Sequence, residues 1–194
     1  MVLPFLEIRV PLPTDERMEY AVADQRQRFR IASENSVKLT LVDELLAGHP
    51  TDNILIIGQY LEQLRILGKR LKAPVLTGQT PEKERERLFA AFRTGELRVL
   101  IVSKVANFAI DLPDASVAIQ VSGTFGSRQE EAQRLGRILR PKVSASPQAC
   151  FYSLVSKDTC DQDFALKRQM FLTEQGYQYR IVEAARLDEF MQGE

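Results

Sequence analysis

The sequence contains few of the residues that build metal centres and disulfide frameworks. It has two cysteines, Cys150 and Cys160, a single histidine, His49, and no tryptophan. Two thiols and one imidazole are too few for the Cys/His sets that bind structural zinc, so we expect no metal site. Sparse cysteines also favour a reducing compartment, which predicts a cytoplasmic location.

An excess of charge of one sign and a long apolar segment are also absent. Basic and acidic residues number 26 each, so no overall field attracts the chain to nucleic acid. No apolar run approaches the roughly 18 residues of a membrane span. Prolines and charged residues interrupt the apolar start, 1–13, which therefore does not resemble a signal peptide. With 44% apolar residues in 194 positions, the chain can bury the core of one domain or lobe.

The phosphate-binding motif G-x-x-x-x-G-K-[ST] does not occur in the sequence. Gly68-Lys69 lies inside a helical pattern rather than at a strand-to-helix turn. Asp43-Glu44 could be mistaken for the acidic box of a nucleotide hydrolase, but it lies in the middle of an amphipathic helix pattern. We therefore expect these acids to face water, and the chain lacks the usual means of holding a nucleotide's phosphates and Mg²⁺.

Apolar runs of strand length alternate with helical patterns along the chain. We predict strands over 6–12, 54–57, 74–77, 98–103, 117–121, 150–155 and 177–182. We predict helices over 14–33, 37–47, 60–71, 81–93, 127–140 and 159–175, followed by a short final helix. This alternation predicts an α/β fold with an open, mostly parallel sheet and helices on both faces. Residues 1–52 form a lead-in, and residues 53–194 form the main lobe.

The loops after four of these strands suit an anionic ligand. Ligands of open parallel sheets bind beyond the carboxyl ends of the strands. The loops at 58–60, 77–80, 103–113 and 122–127 carry glycine, small hydroxyls or free backbone amides. Such groups can donate to phosphate oxygens, and their repetition along one edge favours a phosphate-bearing ligand.

The segment Ser127–Pro141 predicts one helix with a polar and an apolar side. Ser127 and Glu130 match a capping box, and Pro141 ends the helix. Within an arc of about 100° lie Gln133, Gly136, Arg137 and Arg140. A glycine inside a helix costs about 1 kcal/mol relative to alanine, which suggests that a ligand approaches closely. Arginines beside bare backbone suit phosphate, but a solvated basic helix with a chance glycine fits the pattern equally well.

The segment 53–142 resembles the second RecA-like lobe of superfamily-two helicases. It is most similar to the xeroderma pigmentosum group B (XPB-type) helicases in their bacterial form. The resemblance is carried by S-K-V-A-N-F-A-I-D-L-P-D-A (Ser103–Ala115) and G-S-R-Q-E-E-A-Q-R-L-G-R-I-L-R (Gly126–Arg140). Family-like flanks extend it over nearly the whole chain. The sequence departs from the family at Ala106-Asn107, where Gly-Asp is frequent.

The resemblance implies the C-terminal lobe of an ATP-dependent DNA helicase of 3'-5' polarity, acting in DNA repair, such as nucleotide excision repair, or in transcription. Its cofactor would be ATP with Mg²⁺, held mainly by an N-terminal lobe that this sequence does not contain. Its partners would be single-stranded DNA, the N-terminal lobe and, in repair, a nuclease. The fragment alone would then be inactive.

The family pattern also implies roles for individual residues. Arg137 and Arg140 would act as arginine fingers at the γ-phosphate, with Gln133 as a nearby polar contact. Asp111 and Gly136 would couple the nucleotide to the cleft. The residues expected to follow the DNA backbone are Gln59, Tyr60, Thr77, Gly78, Ser103 and Lys104. The helices of 14–47 are a candidate for the thumb-like insertion that some relatives carry.

Two other readings remain open from the sequence alone. A double-strand DNA translocase lobe shares the arginine motif but lacks the specific flanks. A non-enzymatic α/β interaction module would use the arginine helix only as a surface ion-pair network.

Overall fold

A computed structural model describes residues 4–103, 115–123, 150–174 and 176–192. The strands within this part are β1 (Pro4–Val10), β2 (Ile54–Gly58), β3 (Val75–Leu76), β4 (Val99–Ser103), β5 (Val117–Gln120), β6 (Cys150–Ser156) and β7 (Gln178–Glu183). They form one seven-stranded sheet in the order β3-β4-β2-β5-β6-β1-β7. Every pair of neighbouring strands is parallel.

Helices cover both faces of this sheet. They are α1 (Thr14–Val22), α2 (Gln25–Glu34), α3 (Val37–Gly48), α4 (Leu61–Leu71), α5 (Glu82–Thr94), α6 (Cys160–Glu174) and, after a 3₁₀ turn at Ala184–Arg186, α7 (Leu187–Gln192). Apolar residues of α3 and α4 pack on one face. Residues of α5 and α6 pack on the other. The predicted α/β fold with a parallel sheet and helices on both faces is confirmed.

The central strands are apolar throughout because both of their sides are covered. Every residue of β2 and of β4 is buried. Strands of parallel sheets with helices on both faces lack the alternation of apolar and polar residues seen in half-exposed strands. The runs I-L-I-I and V-L-I-V are the sequence signals of this arrangement.

Strand β1 joins the beginning of the chain to its end. Ile8 lies opposite Leu154 of β6 and Val182 of β7. The first strand therefore lies between two of the last strands in the sequence, within the same sheet as residues 54–183.

The prediction of one helix over 14–33 was wrong, because the chain breaks at Ala23-Asp24. Asp24 is the N-cap of α2, and its carboxylate accepts the Gln27 N–H at 2.8 Å while the Gln27 side chain accepts the Asp24 N–H at 3.2 Å. Arg28 then donates to the carbonyl oxygens of Tyr20 and Ala21 at the end of α1. This capping box begins a second helix, and Arg28 ties the two helices together.

The helices predicted over 81–93 and 159–175 are confirmed as α5 and α6. Gly95 and Gly176 follow α5 and α6 with φ of 81° and 83°, a conformation that other residues adopt at a cost. Asp43-Glu44 lies within α3, where Asp43 forms an ion pair with Arg70 of α4. In the described ranges, no helix combines the length and apolar character needed to cross a membrane.

A buried ion pair joins the two helical layers across the carboxyl end of β6. Lys38 of α3 is fully buried, and its Nζ lies 3.0 Å from Oδ2 of Asp161 in the first turn of α6. The same carboxylate oxygen accepts the Ser156 N–H at 3.0 Å. Burial lowers the pKa of Lys38 below its ordinary value, and the Asp161 carboxylate opposes this shift. The Asp161 carboxylate is therefore the main group that favours the charged form of Lys38 inside the protein.

We predict that Lys38→Met destabilises the chain by about 3–5 kcal/mol, because it leaves a buried carboxylate without its counter-charge. The double variant Lys38→Met/Asp161→Asn should recover most of that loss, since the carboxamide that replaces the carboxylate is uncharged and still offers an oxygen to the Ser156 N–H. Urea unfolding followed by circular dichroism measures both.

The control for this prediction is the exposed pair Asp43–Arg70. Asp43→Ala should change the free energy of unfolding by about 1 kcal/mol or less, because water screens that pair. Equal losses for Lys38→Met and Asp43→Ala would contradict the prediction.

Candidate functional site

The carboxyl ends of the parallel strands meet at one edge of the sheet, here called the carboxyl edge. Strands β3, β4, β2 and β5 are neighbours in that order. Adjacent strands are about 4.8 Å apart, so the loops after them lie side by side. Five residues expected to follow DNA lie here within the described part: Gln59, Tyr60, Thr77, Gly78 and Ser103. The fold therefore brings them to a single edge although they are far apart in the chain.

The turn after β3 is held by its own hydrogen bonds. The Thr77 N–H donates to Oγ1 of Thr80 at 2.9 Å, and the Thr80 N–H donates to the Thr77 carbonyl at 3.1 Å. The Gln79 N–H donates to Oγ1 of Thr77 at 3.2 Å, and Arg85 of α5 donates to the Thr80 carbonyl. Gly78 is exposed at the tip. The turn thus presents small groups and backbone to solvent without needing a ligand to shape it.

The loop after β2, residues Gly58–Tyr60, packs tightly against the loop after β5. A Cβ on Gly58 would lie 2.7 Å from Cδ2 of Leu64 and 3.0 Å from Cγ2 of Val121, so a larger residue does not fit. The Gln59 N–H donates to Oγ of Ser122 at 2.6 Å. Oε1 of Gln59 is buried and has no hydrogen-bond partner within the described residues. This side-chain oxygen is therefore a hydrogen-bond acceptor that no described residue uses.

Tyr60 lies where this loop meets the end of α2. Burial raises the pKa of its hydroxyl, with the Glu34 carboxylate adding to the rise and a hydrogen bond with Ser33 opposing it. Gln63 of α4 donates to the Ser33 carbonyl at 2.8 Å. The Tyr60 hydroxyl therefore stays protonated at neutral pH, in the form that can donate to a phosphate oxygen.

Two of the serines at the carboxyl edge have buried side chains. Ser103 is 2% exposed and Ser122 is 0% exposed. The Ser122 hydroxyl accepts the Gln59 amide inside the protein, so it serves the packing of two loops and does not face a ligand. Of the expected contact residues after the strands, Gly78 is thus the exposed one within the described segments.

The remaining predicted site residues lie outside the described residues. They are Lys104, Asp111, Gln133, Gly136, Arg137 and Arg140, together with the predicted helix at 127–140 and the Ala106-Asn107 departure. The described residues that directly precede the segments 104–114 and 124–149 are Ser103, at the end of β4, and Gly123, after β5. Both of these preceding residues lie at the carboxyl edge, on either side of β2.

A buried polar cluster beneath the loop after β5 was not foreseen from the sequence. A Cβ on Gly123 would lie 3.0 Å from Oδ1 of Asp161 and 3.7 Å from Nη2 of Arg168. Arg168 also donates to Oγ of Ser153 at 2.7 Å. On the same side of the sheet, Glu7 is fully buried and pairs with Arg9 and with the Tyr179 hydroxyl. The sequence signal of this cluster is the pair of charged residues, Glu7 and Arg9, inside the apolar strand β1.

A depression of about 710 Å³ opens between the α1–α2 pair and the first turn of α6. Its lining includes Tyr20, Arg28 and Asp163. Arg28 donates hydrogen bonds to carbonyl oxygens of α1, and the Tyr20 hydroxyl accepts the Cys160 N–H at 2.8 Å. None of the site residues predicted from the sequence lines it in the described part of the chain.

The described side chains include no group of three or more His, Cys, Asp and Glu residues arranged to hold a metal ion. His49 follows α3 directly, with its two ring nitrogens next to Asp52 and the Tyr152 hydroxyl.

Solved structures share this fold at low sequence identity. The C-terminal domain of the DEAD-box protein Dbp5 aligns with a TM-score of 0.70 over 99% of this chain and 95% of that domain, at 17% identity. The yeast DEAD-box splicing factor Prp28 aligns with a TM-score of 0.62 over 94% of this chain and 36% of its own, at 19% identity. The RecA-like fold predicted from the sequence is confirmed.

Relatives are much closer in sequence. A protein of Kineococcus radiotolerans named DNA 3'-5' helicase XPB is 57% identical over 183 residues, which are 94% of this chain and 33% of the relative. The Mycobacterium tuberculosis protein of the same name is 56% identical over 92% of this chain and 32% of its own length. The chain spans about a third of the length of these curated relatives.

The match to a family model covers almost the whole chain. The model of the ERCC3/RAD25/XPB C-terminal helicase matches residues 4–192, a range that includes the four loops of the carboxyl edge and both segments that leave it. More than half of all aligned residues are identical to those of two bacterial relatives, and the fold is shared. This chain therefore belongs to the XPB helicase family and corresponds to its C-terminal helicase region.

Proposed function

We propose that this chain is the C-terminal motor lobe of an ATP-dependent DNA helicase that works with 3'-5' polarity in DNA repair or transcription. The proposal rests mainly on the arrangement of loops at the carboxyl edge. There the turn at Thr77-Gly78 and the loop at Gln59-Tyr60 lie beside Ser103 and Gly123, the residues that precede segments 104–114 and 124–149. The names of the two bacterial relatives support the helicase activity and its polarity.

The loops of this edge would bind one DNA strand through its phosphates. Gly78 is exposed, and the hydroxyl of Tyr60 is protonated. Both residues therefore offer small hydrogen-bond donors that suit the phosphate oxygens of a DNA backbone. Lys104, which directly follows β4, would add positive charge, and Ser103 would contribute through its main chain because its side chain is buried. Contacts of this kind do not depend on base sequence and weaken as salt rises.

Arg137 and Arg140 would supply the arginine fingers of the ATPase reaction, with Gln133 beside them and Asp111 and Gly136 coupling the nucleotide to the cleft. Bound ATP with Mg²⁺ supplies the phosphoryl-transfer chemistry. The sequence has no phosphate loop, so we assign the phosphates and the metal mainly to an N-terminal lobe. The arginines would neutralise charge that develops on the transferred phosphoryl group.

Division of the site between lobes makes hydrolysis depend on their closure. Closure and reopening would then shift the strand-binding loops of one lobe relative to those of the other. We also propose that α1 and α2 form a thumb-like element of this lobe, because the end of α2 contacts the loop at Tyr60 through Ser33. The partners would be single-stranded DNA, the N-terminal lobe and a repair nuclease, all in the cytoplasm of a bacterium.

Translocation along duplex DNA is a second candidate. A relative from Enterocytozoon bieneusi, 37% identical to this chain, is named a helicase/translocase subunit of factor IIH. Strand displacement by a two-lobe protein that contains this chain would favour the helicase. ATP-driven displacement of a triplex-forming third strand, without separation of the duplex, would favour the translocase.

We expect Arg137→Ala in such a two-lobe protein to lower the rate constant of ATP hydrolysis by about 10³–10⁵, because a transition-state charge loses its partner. Binding of single-stranded DNA, measured by fluorescence anisotropy, should stay within about twofold, because the strand is held mainly by other loops.

The matched control is Arg87→Ala, which removes an exposed arginine of α5 that pairs with Glu84. Its ATPase rate should equal that of the parent. A near-normal turnover number for Arg137→Ala would refute the finger role.

We predict that the purified chain alone neither hydrolyses ATP nor separates DNA strands, since half of the nucleotide site would be missing. A phosphate-release assay and a strand-displacement assay at saturating ATP and DNA measure the two activities, with the two-lobe protein as the positive control. Sustained DNA-stimulated hydrolysis by the isolated chain would show that the proposed division between lobes is incorrect.

A further inference from the structure

The dipeptide Ser122-Gly123 is held from both sides where the chain leaves β5. On one side, the Ser122 hydroxyl is fully buried and accepts the Gln59 N–H of the loop after β2 at 2.6 Å. On the other side, Gly123 lies against the first turns of α6. The residue that follows Gly123 begins the segment 124–149, which carries the predicted finger arginines.

The contact at Gly123 is confined because the carboxylate it meets is buried and hydrogen-bonded. A Cβ at this position would lie 3.0 Å from Oδ1 of Asp161. The other oxygen of that carboxylate is held by Nζ of Lys38 and by the Ser156 N–H, both at 3.0 Å. Since Lys38 is fully buried and Asp161 is 6% exposed, neither can swing into solvent. The backbone of Gly123 therefore lies close against α6, and a side chain at this position would push the two apart.

The Ser122 contact connects this fixed point to the proposed DNA-binding surface. Gln59 and Tyr60 share one short loop, and Gly58 before them fits only without a side chain, against Leu64 and Val121. A displacement of the Gln59-Tyr60 loop therefore acts on Ser122 through one short hydrogen bond.

We propose that Ser122 and Gly123 are positioning residues that couple the DNA-binding loop after β2 to the arginine-bearing segment after β5. The proposal rests on the function proposed above. Neither residue contacts DNA or ATP in this scheme. Gly123 sets where the arginine segment begins relative to α6, and Ser122 transmits the state of the DNA loop to that starting point. Coupling of this kind is reciprocal. Bound DNA would therefore alter the binding free energy of ATP, and bound ATP would alter that of DNA.

The test is Ser122→Ala in a two-lobe protein that contains this chain, with ATP hydrolysis measured with and without single-stranded DNA. Loss of the hydroxyl should lower the stimulation by DNA at least about fivefold, the lower end of typical coupling between sites. The rate without DNA should stay within about twofold of the parent, since Ser122 contacts neither ligand. A purely structural role would lower both rates together, and that result would overturn the proposal, as would unchanged stimulation.

Ser116→Ala is the matched control, because Ser116 precedes the other end of β5 and is partly exposed. It should leave the stimulation unchanged. Amide hydrogen exchange on the 194-residue chain itself tests the bond directly. The Gln59 amide should be protected in the parent and exchange at least about tenfold faster in Ser122→Ala, whereas a Gln59 amide that is unprotected in the parent would refute the coupling.

Gly123→Ala is the second variant and keeps the proposal testable if Ser122→Ala does not fold. It should lower kcat for ATP by about tenfold or more through displacement of the arginine segment, with KM for ATP within about twofold. A parental kcat would overturn the role of Gly123, and so would a fall in kcat that merely follows the loss of folded protein. Full activity of Arg137→Ala refutes the finger role within the proposed function. Loss of activity in Arg137→Ala, with parental behaviour of Ser122→Ala and Gly123→Ala, refutes only the coupling.

Discussion

The parallel direction of neighbouring strands is the constraint on which the rest of this structure depends. Each connection must leave a strand at one edge of the sheet and return to the other edge before the next strand begins. All strand-to-helix loops in the described sheet are therefore collected at the carboxyl edge. Thr77, Ser103, Gln59 and Ser122 become neighbours by strand order, although they are up to dozens of residues apart in sequence. The same constraint places the starts of the segments after Ser103 and Gly123 beside them.

Polar groups hold together the end of the sheet where these loops meet. An apolar contact between α3 and α6 over the end of β6 could be as stable as the Lys38–Asp161 pair, since buried ion pairs often gain little net free energy. An apolar contact would, however, leave the Ser156 N–H without an acceptor and would allow many relative positions. The carboxylate of Asp161 satisfies Ser156 and Lys38 at once and leaves its second oxygen against Gly123. We infer that the pair contributes a defined geometry more than stability.

Local patterns were sufficient to predict most of the fold. The apolar runs at β2 and β4, and the glycines at 95 and 176, each carry their physical cause within a few residues. The break at Asp24 also had a local signal, the Asp24/Gln27 capping box, but the polar run that follows hides it in a search for apolar periodicity. Lys38 could not be predicted to be buried, because its partner is 123 residues away. The use of the Ser122 hydroxyl by the Gln59 amide depends on strand order, which the sequence does not display.

The hydroxyl of Ser122 illustrates why residue type alone does not locate a phosphate site. The groups that suit a phosphate, small hydroxyls and glycines, are also those that let two loops pack closely at the end of a sheet. At the carboxyl edge the chain uses them in both ways: Gly78 is exposed at the tip of a preformed turn, while Ser122 and Gly58 join the loops after β2 and β5. In the motor that we propose, whose finger arginines would act on a nucleotide held by another lobe, this inner contact would matter as much as the outer one. In this proposal a DNA strand influences hydrolysis through the contact between the loop that binds it and the segment that carries the arginines, and the Gln59–Ser122 hydrogen bond would form that contact.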